Sequence, residues 1–238
     1  MCDDYTDCNE AFDCGDSVTN LKYPFWGKSR KECGFSDQNM ELTCERNVPK
    51  ITINNVKYRI LEWYNTTQIL KVARDDYFNG ICSVSVSANH NNSTFDKTQF
   101  QRDGDGSYKI SLLYNCETSI MNIFGTTCSS TKVSYTIVDP ATVSLTCTPS
   151  VIVEFPILAG QPAQIASLDV LNEAIQGGFD LRWTGNYAEC QMCVDSRGAC
   201  GNDGGTGFRC FCEDGAYPDR CGSRKAPTSS MSFTFLYN

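Results

Sequence analysis

The stretch CNEAFDCGDSVTNLKYPFWGKSRKECGFSDQNMELTC, Cys8 to Cys44, decides how this chain is read. It holds Cys8, Cys14, Cys33 and Cys44 and shows little apolar periodicity, so it reads as a segment pinned by cysteines. Between the cysteines lies Tyr23-Pro24-Phe25-Trp26-Gly27, followed at once by Lys28, Arg30 and Lys31. Aromatic faces stack on the C–H faces of sugars, and ammonium or guanidinium groups pair with carboxylates. Tyr23, Phe25, Trp26, Lys28, Arg30 and Lys31 are therefore the candidate binding residues for an acidic saccharide. A competing reading places the three aromatics in a small core and leaves the cations on a solvated loop.

Composition narrows the class. Fifteen cysteines in 238 residues would demand metals or redox chemistry in a reducing compartment. Three N-glycosylation sequons, at Asn65, Asn91 and Asn92, favour the oxidising, extracellular alternative. Asn91 and Asn92 are adjacent, so at most one of them is expected to carry a glycan. No apolar run approaches the ~20 residues that span a bilayer. The start, Met1-Cys2-Asp3-Asp4, lacks the basic and apolar regions of a leader, which reads as a mature, trimmed or incomplete form. The net charge of −8 argues against nucleic acid as a partner. An acidic saccharide would also be a polyanion, but Lys22, Lys28, Arg30 and Lys31 stand within ten positions that hold no acidic residue. Such a patch can outweigh distant charge, because the Debye length at physiological salt is about 8 Å.

Downstream, period-two patterns predict strands. Ile51 and Ile53 alternate, Asn54-Asn55 turns the chain, and Val56, Tyr58 and Ile60 alternate back. Ile69 to Ala73 reads as another strand, and Asn79-Gly80 as a turn before Cys82. A second series contains Tyr108, Ile110, Leu112 and Tyr114, then Val133, Tyr135 and Ile137, then Val143, Leu145 and Cys147. Val151 to Phe155 is expected to stop before Pro156. One helix is expected, capped by Ser167, with Leu168, Leu171 and Ile175 on one face and Gly177-Gly178 at its end. Phe179 to Trp183 then reads as a strand. Met1 to Asp7 reads as a polar lead-in, and the tail from Gly222 to Asn238 is expected to be poorly ordered.

Cys14-Gly15, Tyr23-Pro24-Phe25-Trp26-Gly27, Cys33-Gly34 and Leu42-Thr43-Cys44 stand in an order that resembles plant wall-associated receptor kinases, at the start of their galacturonan-binding domain. Tyr58-Arg59-Ile60-Leu61 and Val72-Ala73-Arg74-Asp75 continue the resemblance, which is nearest to leaf-rust-type receptor-like kinases. The helix, the Gly-Phe step and the strand ending in Trp183 resemble the C-terminal domain of the same receptors. Cys190, Cys193, Cys200, Cys210, Cys212 and Cys221 end in the spacing of an EGF-like module. By that analogy the bridges would be Cys190–Cys200, Cys193–Cys210 and Cys212–Cys221. The Cys190-x-x-Cys193 spacing keeps a zinc reading open.

The resemblance implies a mostly β, disulfide-rich fold: two β modules, one short helix and a C-terminal EGF-like cysteine knot. It implies a galacturonan-binding-like domain over 8–100, a C-terminal wall-associated-kinase-like domain over 101–221, and a tail over 222–238. Its functional implication is an extracellular, apoplastic ectodomain for pectin or oligogalacturonides. The alternative is an ectodomain for a protein or peptide, a co-receptor included, without sugar binding. Full-length relatives are serine/threonine kinases, but no kinase glycine-rich loop, HRD or DFG occurs in this chain, so it is not expected to be an enzyme.

A hydrolase would need paired carboxylates, and Asp75-Asp76, Asp103, Asp105 and Glu213-Asp214 are available. His90, the single histidine, has no nucleophile motif beside it. Asp103-Gly104-Asp105-Gly106-Ser107 resembles half a calcium loop but reads better as a turn. No cofactor is expected, beyond calcium as a bridge between galacturonan and carboxylates. The cysteine count is odd, so at least one cysteine lacks an intrachain partner, and Cys2 is the candidate. With Cys2 and the knot set aside, five cysteines fall in the first block and three in the second. If all eight pair, at least one bridge must join the two blocks.

Overall fold

The structure is a computed structural model. It describes residues 4–15, 18–27, 30–35, 38–84, 91–102, 107–117, 124–128, 131–136, 146–158 and 167–222. The chain is mostly β. A short helix, α1 (Asp4–Asn9), precedes β1 (Phe12–Cys14), β2 (Val18–Leu21) and β3 (Trp26–Gly27). β4 (Glu41–Glu45), β5 (Val48–Ile53), β6 (Val56–Tyr64) and β7 (Ile69–Arg74) follow as a meander. Next come β8 (Phe100–Arg102), β9 (Ser107–Glu117), β10 (Phe124–Cys128), β11 (Thr131–Thr136) and β12 (Thr146–Leu158). The described chain closes with α2 (Leu168–Gly177), β13 (Phe179–Trp183), α3 (Tyr187–Asp195), β14 (Ala199–Asn202), β15 (Phe208–Cys212) and β16 (Gly215–Tyr217).

These elements form two compact units, each discontinuous in sequence. The larger comprises residues 12–21 and 37–185. Its meander follows from local chemistry. Asn54 and Asn55 hold φ of 48° and 64°, the left-handed pair that a two-residue hairpin turn needs and that asparagine tolerates. The register sets Ile51 against Tyr58 and Ile53 against Val56, and all four side chains are buried. β13 then inserts antiparallel between β7 and β8, with Phe179 opposite Val72 and Leu181 opposite Leu70. The strands of this sheet thus run β4–β5–β6–β7–β13–β8 within the unit.

A second sheet in the same unit runs β10–β11–β9–β12. Its core gathers Ile110, Leu112, Tyr114, Val133, Val153 and Phe155 with Leu171 and Ile175 of α2. Ser167 Oγ accepts the Val170 N–H and caps that helix. Gly178 ends it at φ +69°, where a Cβ would lie 2.2 Å from the Val72 carbonyl oxygen, so only glycine fits. β12 does not stop before Pro156 but runs through it to Leu158. Among the described residues it pairs on one side only, with β9, and an edge strand can carry a proline whose missing N–H faces away from the ladder. Cys14 bridges Cys44, and Cys82 bridges Cys128, 46 residues on. That second bridge links a cysteine of the first block to one of the second. Cys116 and Cys147 lie opposite each other in the β9–β12 register. Cys2, Ile137, Val143 and Leu145 lie outside the described residues.

The smaller unit comprises residues 1–11, 22–36 and 186–238. It contains two helices where the sequence pattern predicts none. Met1 to Asp7 is not simply a polar lead-in, since α1 begins at Asp4, and α3 occupies part of the knot. Helices of six and nine residues are too short to persist alone in water. Each is tied down covalently. Cys8 of α1 bridges Cys33, and Cys190 and Cys193 of α3 bridge Cys200 and Cys210. Cys212 bridges Cys221. The strands β14–β15–β16 form a small antiparallel sheet behind these bridges. The compact units therefore divide the chain differently from a boundary at residue 100.

Candidate functional site

The basic turn between Lys22 and Phe35 lies in the smaller unit, where α1, β14 and a bond within the turn hold it. The Cys8–Cys33 bridge ties it to α1, as does an ion pair between Arg30 and Asp7. From β14, the Asn202 side-chain amide donates to the carbonyl oxygens of Lys31 at 2.7 Å and Gly34 at 2.9 Å. The Phe35 N–H donates back to the Pro24 carbonyl at 2.8 Å. The Tyr23–Pro24 peptide bond is cis. The described parts of the turn, residues 22–27 and 30–35, are thus held in place before any ligand arrives.

The predicted aromatic surface is not what these residues form. Phe25 and Trp26 are buried, 3% and 8% exposed, so their faces are unavailable for stacking on a sugar. Trp26 packs against Gly34 so closely that a Cβ there would lie 2.3 Å from the indole Cδ1. Tyr23 is half-buried and meets Phe208 edge to face, with centroids 5.8 Å apart. Burial, and after it the Glu189 carboxylate, push the Tyr23 phenol well above its ordinary pKa. The competing reading of the aromatics, as buried rather than presented, describes Phe25 and Trp26. The reason is physical: a unit with so little aliphatic material draws its large rings inward.

The cations separate into two kinds. Arg30 is engaged by Asp7 and by the Cys33 sulfur, at 3.5 Å from Nη2. Lys22 and Lys31 are exposed. Lys22 Nζ donates to the neutral Asn9 amide oxygen at 3.2 Å. Among the described residues no carboxylate forms an ion pair with Lys22 or Lys31. Lys28 lies outside the described residues. Asp7 and Asn202, which hold the turn, carry no signal in the sequence; Asn202 is 171 residues from Lys31.

The other candidate chemistry is taken up by structure. Asp75 accepts from Lys50 Nζ at 2.8 Å and Arg59 Nε at 2.6 Å. Burial alone would raise the Asp75 pKa, but these two cations outweigh it and hold the carboxyl below its ordinary value. Such a group is a poor general acid. Asp76 makes a two-toothed pair with Arg74, which is 2% exposed. Asp214 accepts from Tyr217. His90 and Asp103 to Gly106 lie outside the described residues. Cys190 and Cys193, the zinc-like pair, are committed to separate disulfides and offer no thiolate. The sulfurs of Cys210, Cys212 and Cys221 cluster within 4.8 Å of one another, all three in bridges. Asn65, Asn91 and Asn92 are exposed, and Arg74 Nη1 donates to the Asn91 carbonyl at 2.7 Å.

Residues 8–74 match the wall-associated receptor kinase galacturonan-binding family model, and residues 115–215 match the wall-associated receptor kinase C-terminal model. The chain is an ectodomain of the wall-associated receptor kinase type, a class of extracellular receptor segment. Among its relatives is the leaf rust 10 disease-resistance locus receptor-like protein kinase-like 2.1 of Arabidopsis thaliana, 27% identical over 90% of this chain and 35% of that protein. The kinase-like 2.8 protein of the same plant is 29% identical over 92% of this chain and 25% of its own length. The chain thus spans about a third or less of these relatives. No solved structure matches it. Among the described residues no helix is long and apolar enough to cross a membrane.

Proposed function

We propose that the chain is the wall-facing, ligand-binding part of a receptor-like kinase of the apoplast, and that its ligand is an acidic pectic polysaccharide. One observation carries this reading. In the segment that matches the galacturonan-binding model, Lys22 and Lys31 are exposed on a clamped turn, with no carboxylate paired to either among the described residues. Galacturonan presents a carboxylate on each ring. Two exposed ammonium groups meet such a chain without first breaking an internal ion pair, and the clamp lowers the cost of ordering the turn on binding. The contribution is electrostatic, since Phe25 and Trp26 serve as support beneath the turn.

The test is titration of oligogalacturonides and of a neutral glucan against the purified chain across a salt series. Affinity for the acidic ligand should fall steeply between low and physiological salt, and joint Lys22→Ser and Lys31→Ser change should abolish it with the fold intact. Direct pairing also predicts that a calcium chelator leaves the affinity unchanged. Binding that ignores salt and survives both substitutions would point to another surface, and equal affinity for the glucan would remove the acidic class altogether.

A further inference from the structure

Tyr64 is the one aromatic side chain among the described residues that stands clearly in solvent, at 49% exposure. It ends β6. Asn65, also exposed, opens the turn to β7, in which Gln68 N donates to the Asn65 carbonyl at 3.2 Å. Asn65-Thr66-Thr67 is a sequon, so an open ring and a glycan acceptor are consecutive residues, about 3.8 Å apart between Cα atoms.

The charges around the ring cancel. Glu62 accepts from the Tyr64 hydroxyl and pairs with Lys71 at 3.5 Å. Asp180 stands opposite Lys71 in the next strand, and Arg182 Nη1 donates to the Thr67 carbonyl at 2.6 Å. Two acidic and two basic groups leave no excess for a polyanion. Such a setting suits a neutral sugar better than an acidic one: a C–H face matches the ring, and hydroxyls and an acetamide match the polar rim. Asn91 and Asn92 differ: the ring that reaches their sequon, Tyr58 through its bond to Ser93, is fully buried.

We infer that Asn65 carries an N-linked glycan whose first N-acetylglucosamine lies on the Tyr64 ring. The attachment uses a lipid-linked oligosaccharyl pyrophosphate of the secretory pathway. A bond forms between sugar C1 and Asn65 Nδ2, the C1–O bond to the pyrophosphate breaks with its electrons leaving on oxygen, and the amide loses one proton. The inference shares with the proposed function only the extracellular route, and its main readouts, site occupancy and Tm, need no ligand.

The chain is produced in a plant secretory host and glycopeptide mass spectrometry reads occupancy at each sequon. Thermal unfolding then compares Asn65→Gln, Tyr64→Ala and the double variant. Asn65 should be occupied, and Asn65→Gln should lower Tm by about 2–4 °C when Tyr64 is present and by nothing in the Tyr64→Ala background. Tyr64→Phe keeps the ring and should keep the full shift, which guards against a Tyr64→Ala chain that fails to fold. Substituting Asn91 and Asn92 should shift Tm little. An unoccupied Asn65, or an Asn65→Gln shift of the same size without the ring, overturns the inference. Loss of oligogalacturonide binding in Tyr64→Ala would assign the ring to an outside sugar and overturn it too, whereas failure of galacturonan binding in every variant would count against the proposed function alone.

Discussion

Four of the six disulfides among the described residues, Cys8–Cys33, Cys190–Cys200, Cys193–Cys210 and Cys212–Cys221, lie in the smaller unit. Its buried clusters consist largely of those sulfurs with Ala199, Phe208, Phe211 and Tyr217. The larger unit holds Cys14–Cys44 and Cys82–Cys128 but packs mainly Ile, Leu, Val, Tyr and Phe from two sheets and a helix. The contrast follows from size. A small unit buries too little apolar surface to offset its chain entropy and relies on covalent closure, while a larger one relies on burial. It also separates roles: the stapled unit presents the basic turn, and in the packed unit Lys50, Arg59 and Arg74 are taken up in internal ion pairs.

The largest effects should come from attacking each unit through its own means of support. Replacing Cys193 and Cys210 together by Ser should cost the smaller unit about 2–5 kcal/mol. Hydrogen exchange should then quicken in β14 and β15 and stay slow in β9 and β11. Leu112→Ala, at a fully buried position of the larger unit, should cost about 2–5 kcal/mol and reverse that pattern. Equal loss of protection in both units, for either change, would dissolve the contrast.

Gly198→Ala sharpens it. A Cβ there would lie 2.3 Å from Cys210 Sγ, 2.6 Å from Cys193 Sγ and 3.0 Å from Cys221 Sγ. Sulfurs locked in two bridges cannot step aside, so the expected cost is about 1–3 kcal/mol, read from the urea midpoint of the oxidised chain. Asn202→Ala comes next. It strips both donors from the Lys31 and Gly34 carbonyls at a residue only 4% exposed, for a cost of about 1–3 kcal/mol. Oligogalacturonide affinity should fall with it, although no charge changes. Unchanged affinity would mean that the clamp does not order the turn for its ligand.

The smallest effect is one of pH, in the larger unit. Hydrogen bonds from Lys50 and then Lys57 hold Glu45 at about 2, below its ordinary 4.5. A carboxyl depressed in the fold contributes stability that is present above its unfolded pKa and is lost as pH falls through the folded value. Asp75, held low by Lys50 and Arg59 against its burial, has the same sign. Stability should therefore decline between about pH 4.5 and pH 2, and Lys50→Met should flatten that decline. Glu45 is 42% exposed, so solvent screening keeps the effect modest. An acid limb unchanged in Lys50→Met would show that other carboxylates govern it.

Some of this architecture is written locally in the sequence. Asn54-Asn55 between alternating apolar residues specifies the hairpin, and Ser167 with Gly178 brackets α2, because turn chemistry and capping act within a few residues. The odd cysteine count and the blocks it divides likewise need no coordinates. Tertiary structure decided the rest. No local pattern says that β13 enters the sheet between β7 and β8, about a hundred residues further along the chain than β7. Nor does any say that Asn202 clamps the basic turn, or that Phe25 and Trp26 lie inside while Lys22 and Lys31 lie outside. An aromatic beside a cation reads the same in sequence whether it is a platform or a prop. Which one it becomes depends on partners far along the chain, whose loop-closure cost is repaid only when the whole unit is assembled.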